Sequence, residues 1–94
     1  MTTIWKFPFA VGDDISIKMP ACAEVLSVGV QDNTACVWAR VDPAWPERVY
    51  HFRMYGTGHP LNPHDVGRFV GTIQMAGGAL VFHVFEAATA SVEA

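Results

Sequence analysis

Apolar and polar side chains trade places at every second position along most of this chain, the period of a β-strand rather than the 3.6 of a helix. The cleanest case is Asp14–Met19, where Ile15, Ile17 and Met19 share one face and Asp14, Ser16 and Lys18 the other. Proline and glycine recur too often for any helix to run three turns without interruption. Together these features restrict the chain to the all-β class.

Seven segments carry the pattern. Thr3–Phe9 is rich in aromatics, and Pro8, lacking a ladder donor, places it at a sheet edge or ends it. Asp14–Met19 follows a turn at Gly12-Asp13-Asp14 and is closed by Pro20. Glu24–Gln31 sets Leu26, Val28 and Val30 against Val25, Ser27, Gly29 and Gln31. Asp32-Asn33 is a two-residue hairpin signal, because both residue types tolerate positive φ. Thr34–Val41 returns with Ala35, Val37, Ala39 and Val41 opposed to Cys36, Trp38 and Arg40. Asp42–Glu47, with two prolines, interrupts the pattern. In Arg48–Tyr55, Tyr50, Phe52 and Met54 then alternate with Val49, His51, Arg53 and Tyr55. Gly56–Gly67 is the longest irregular stretch, and Phe69–Gln74 follows it. The last strand, Ala79–Glu86, comes after a turn at Ala76-Gly77-Gly78. It is apolar on both faces, so it belongs inside a sandwich or beneath a partner. The expected fold is a small antiparallel β-sandwich or barrel of about seven strands. It forms one domain over residues 1–86, with a flexible tail over 87–94.

Composition narrows the function. Ninety-four residues suit one domain, and 51% hydrophobic with 16% charged residues is a globular balance. No apolar run approaches the ~20 residues of a membrane-spanning helix. No basic segment followed by an apolar one marks secretion, so a cytoplasmic protein without a membrane partner is expected. A net charge of −3 with six Lys and Arg argues against a nucleic-acid partner. Cys22 and Cys36 suit a reduced chain in which both are small buried hydrophobes; a single bridge is the alternative if their strands lie side by side. Neither C-x-x-C nor paired histidines at ligand spacing occurs, so no metal is expected. Gly56-Thr57-Gly58-His59-Pro60 lacks the lysine and the helix start of a phosphate-binding loop, and no cofactor is expected. G-x-S-x-G is absent and neither cysteine has an evident histidine neighbour, so the chain does not read as an enzyme.

Binding is the remaining class. His51, Arg53 and Tyr55 are spaced two apart and share one strand face. Arg40 and Trp38 would lie beside them if the flanking strands formed a hairpin across Asp42–Glu47. That face would offer guanidinium groups and aromatic planes to a small phosphorylated or nucleotide-like ligand; polar alternates on a strand are ordinarily its solvent side. His83 stands among apolar residues and needs a hydrogen-bond partner. It reads as a satisfied core or interface histidine, or as a base paired with His51 or His59. Three Trp, two Tyr and six Phe are many for a domain that buries only about 60% of its unfolded surface. Trp5, Trp38, Trp45 and Phe85 are therefore the expected interface of a homo-oligomer.

Several short stretches together carry a resemblance: Ile4-Trp5-Lys6-Phe7-Pro8, Leu26-Ser27-Val28 with Gln31, Gly56-Thr57-Gly58-His59-Pro60, Gly71-Thr72-Ile73-Gln74, and Leu80 to Glu86. Over about residues 3–86 the chain resembles a family of small uncharacterised phage and prophage proteins. The resemblance implies expression from a viral or integrated viral genome in bacterial cytoplasm, and an accessory role; it assigns no catalytic residues. The expected function is a non-enzymatic accessory protein that self-associates and binds a host protein, inhibiting a host process. The alternatives are a sequestering protein for a small phosphorylated or nucleotide-like ligand, and a minor structural component of a virion.

Overall fold

The computed structural model describes residues 1–88. Its strands are β1 (Thr3–Phe9), β2 (Asp14–Pro20), β3 (Glu24–Gln31), β4 (Thr34–Val41), β5 (Glu47–Gly56), β6 (Val66–Met75) and β7 (Leu80–Ala87). They form two antiparallel sheets, one of three strands in the order β1-β4-β3 and one of four in the order β2-β5-β7-β6. This is the small all-β sandwich that the alternation implies. Among the described residues the helical elements are two single 3₁₀ turns, at Pro63–Asp65 and Ala76–Gly78. No helix among the described residues is long and apolar enough to cross a membrane. The last strand runs on to Ala87, which pairs with Val66, and the Ala88 N–H donates to the Asp65 carbonyl at 3.0 Å. The rest of the expected tail, 89–94, lies outside the described residues.

Alternation sorts side chains between core and solvent as a strand requires. Ile15, Ile17, Met19, Phe52, Met54, Ile73 and Val84 come from the four-stranded sheet. Val25, Ala35, Val37, Ala39 and Val41 face them from the three-stranded one. Small alanines on β4 and larger side chains opposite divide the space between the layers, as close packing demands. Asp32 and Asn33 take φ of 50° and 66°, the left-handed pair that a tight β3–β4 hairpin needs. Pro8 sits in β1, an edge strand.

Two expectations are corrected. Leu26 does not share a face with Val28 and Val30, because a bulge between Val25 and Ser27 inserts one extra residue and reverses the parity. Val25 pairs with Ala39 and Val28 with Val37, so both face inward, while Leu26 is 41% exposed. The second concerns cysteine. Both thiols are free, and only Cys36 is buried; Cys22 is exposed on the β2–β3 turn at a φ of 62°.

The sandwich closes on one side and opens on the other. β3 and β6 approach each other, and a Cβ on Gly71 would lie 3.0 Å from Val28 Cγ1. Arg68 crosses this seam, donating to the Val25 carbonyl and reaching Glu86 at 3.3 Å. On the opposite side β1 and β2 diverge into different sheets from the turn at residues 10–13. A cleft of about 450 Å³ lies between them, lined by Phe7–Ala10 and Asp14–Lys18.

Candidate functional site

Because Phe52 and Met54 point into the core, His51, Arg53 and Tyr55 line the outer face of the four-stranded sheet. Register supplies their neighbours. Arg53 pairs with Asp14 on β2 and with Phe85 on β7; Tyr55 pairs with His83; His51 pairs with Ser16. Across β7, Phe85 meets Phe69 and His83 meets Thr72 of β6.

Arg53 is the hub. Its Nε lies 3.4 Å from Asp14 Oδ1 and its Nη1 3.9 Å from Asp65 Oδ2. Asp65 arrives on the 3₁₀ turn Pro63–Asp65, whose start is capped by the Asn62 side chain accepting from the His64 N–H at 2.9 Å. The guanidinium stands 5.8 Å from the centroid of Tyr55, within cation–π range. Tyr55 meets Phe85 edge-on at 6.1 Å, and Phe85 meets Phe69 at 5.2 Å. Arg53 Nε and Tyr55 Oη are shut off from solvent and make no hydrogen bond. Both residues line a cleft of about 290 Å³ together with Asp13, Asp14, His59 and Pro60.

The three candidate histidines, His51, His59 and His83, are held separately. His83 sits between two hydroxyls, Thr57 Oγ1 at 2.6 Å from Nε2 and Thr72 Oγ1 at 2.9 Å from Nδ1. Both of its nitrogens are thus engaged. His51 Nδ1 lies 3.0 Å from Ser16 Oγ. The His59 ring packs on Gly56, where a Cβ would come within 2.8 Å of it, and the backbone N–H of His59 donates to the Gly56 carbonyl at 3.1 Å, closing the turn.

Arg40 and Trp38 do not join this face. Asp42–Pro46 carries the chain from one sheet to the other instead of forming a hairpin, so β4 and β5 belong to different sheets. Arg40 pairs with Glu24 on the opposite outer face, and the Trp38 ring lies half-buried over Gly29. The expected interface aromatics are also dispersed. Trp5 lies on edge strand β1, Trp38 on the three-stranded sheet, Trp45 in the β4–β5 loop, and Phe85 on the four-stranded sheet between Tyr55 and Phe69.

Charge decides what this arrangement can hold. One guanidinium is flanked by Asp14 and Asp65, with Asp13 nearby, so an incoming phosphate meets more negative than positive charge. Asp14, Asp65, Thr57 and Thr72 escape a reading of the sequence because they reach the cluster through strand pairing and a loop return, which spacing along one strand does not report. Among the described residues, no group of three or more His, Cys, Asp or Glu is placed to hold a metal ion.

No curated protein and no solved structure matches the chain. A family model described as a domain of unknown function does match, across residues 1–94, and the chain belongs to that family, DUF7352.

Proposed function

We propose that this chain is a non-enzymatic binding protein that self-associates and docks a partner protein through exposed apolar side chains. The observation that carries this reading is the large apolar surface of so small a domain: Ile4 is 59% exposed, Trp5 43%, Trp45 53% and Phe69 50%. Single exposed leucines are ordinary, but exposed tryptophan is the residue type that most often anchors an interface. The polar cluster supports the same reading. Arg53 is committed to two carboxylates and His83 to two hydroxyls, an arrangement that braces a surface. The resemblance to phage and prophage proteins supports a host protein in bacterial cytoplasm as the proposed partner, with interference in a host process as the proposed outcome.

Affinity capture from bacterial lysate tests the partner. A host protein retained by the wild-type chain and lost with Trp45→Ala supports the reading; recovery of the chain alone by both retires it. Light scattering tests self-association, and a monomer at high micromolar concentration removes that half.

One observation favours a second reading, sequestration of a small ligand. The cleft of about 290 Å³ is lined by Tyr55, whose buried Oη lacks a hydrogen-bond partner, and by Arg53, whose Nε makes no hydrogen bond and has the Asp14 carboxylate at 3.4 Å. Its carboxylates suit a ligand with donor groups better than one with several phosphates. Thermal melts with a panel of nucleotides and nucleosides test it, since a ligand bound only by the folded state raises the melting temperature. A rise abolished by Tyr55→Phe supports it, and silence across the panel retires it.

A further inference from the structure

The four sheet edges are not built alike. β3 and β6 are bulged, lie against each other and are crossed by Arg68. Bulges and covered edges are the usual protection against pairing with another chain. β1 and β2 have regular registers, and each pairs on one side only, so among the described residues no strand covers their outer edges. β2 buries Ile15, Ile17 and Met19 and turns Asp14, Ser16 and Lys18 outward. β1 is different. Ile4 is exposed on its outer face, and Trp5 is exposed although it pairs with buried Ala39 and so lies on the core-facing side. Both faces of this edge carry large apolar side chains that the sandwich does not cover.

Pro8 fixes which backbone groups are free. It has no N–H, so the β1–β4 ladder stays whole only if its nitrogen points away from β4. Backbone groups of alternate residues in a strand point the same way. The N–H and C=O of Ile4 and Lys6 therefore also point away from β4, on the uncovered side.

We infer that β1 pairs antiparallel with β1 of a second copy, joining two three-stranded sheets into one. The register sets Ile4 against the partner's Lys6 and Trp5 against the partner's Trp5. Ile4 and Lys6 then exchange both backbone hydrogen bonds, and two indoles meet on the core-facing side as a directly opposed aromatic pair. A register centred on Lys6 is worse on two counts. It opposes two ammonium groups, and it sets the missing donor of Pro8 against Ile4. The inference rests on the reading that the chain self-associates, and it names the surface that does so.

Three variants test it alongside the wild-type chain: Lys6→Pro, and Trp5→Cys and Lys6→Cys, the last two with Cys22→Ser. Proline at position 6 has the parity of Pro8, so it leaves the β4 ladder intact and removes a donor from the free edge. Light scattering is expected to report a dimer for wild type and a monomer for a folded Lys6→Pro. On oxidation Trp5→Cys is expected to cross-link, because an opposed non-hydrogen-bonded pair sets Cα atoms about 4.5 Å apart, within disulfide reach. Lys6→Cys, diagonal to its counterpart, is not. A monomeric wild-type chain overturns both self-association and this inference. A wild-type dimer that persists in folded Lys6→Pro leaves self-association standing and overturns the β1 edge. Cross-linking at 6 and not at 5 overturns the register, and if Lys6→Pro fails to fold, the cross-linking pattern alone decides.

Discussion

Tyr50 and Arg53 illustrate how two polar side chains on one strand differ in what they hold. Tyr50 Oη accepts from the Ala23 N–H and donates to the Pro20 carbonyl, both at 3.0 Å, tying the β2–β3 turn to β5. Tyr50→Phe leaves both backbone groups without that partner. It is expected to lower stability by about 1–2 kcal/mol in urea unfolding, with the slope unchanged. Arg53 has more partners and less at stake. Asp14 is exposed and Asp65 nearly so, and ion pairs in water contribute about 0–1 kcal/mol. Arg53→Met is therefore expected to shift the same unfolding curve by less than about 1 kcal/mol. A loss several times larger shows that Arg53 is a structural keystone and not a surface brace.

At the scale of the strand, the β3–β4 hairpin depends on two residues in left-handed conformation. Asn33→Ala forces a Cβ residue without a compensating side chain into that region and is expected to cost about 1 kcal/mol, whereas Asn33→Gly is expected to cost nothing. Paired denaturant curves check the contrast. The same turn shows what could be read in advance. Asp32-Asn33 announces the hairpin, and the faces of β2, β4, β5 and β7 follow from simple alternation because none of them contains an inserted residue. β3 fails because nothing in Val25-Leu26-Ser27 marks the bulge, and one extra residue is enough to exchange Val25 for Leu26 in the core. The candidate site divides in the same way. His51, Arg53 and Tyr55 share a face by spacing, and that much is visible. Arg40 is misplaced because strands consecutive in sequence are easily taken as neighbours in space, when two prolines carry the chain to the other sheet. The neighbours contributed by β2, β6 and β7 depend on strand order, which is set by packing across the whole chain.

For the whole molecule, association and folding are linked. If β1 pairs with a second copy, the folded state is stabilised by mass action, and the melting temperature is expected to rise with protein concentration. Lys6→Pro is expected to melt at one temperature across the same series, which differential scanning calorimetry reads directly. The order in which the strands are made also matters. Only β3–β4 and β6–β7 join consecutive strands, while β1 must wait for β4, β2 for β5, and β5 for β7. Such distant pairings are closed slowly, over milliseconds to seconds. On a ribosome moving at roughly 5–20 residues per second, Phe7 and Phe9, which pack against the finished core, emerge seconds before the strand that shelters them. A half-made copy is thus stickier than a finished one, and overproduction in cells short of chaperones should end in inclusion bodies through this first strand.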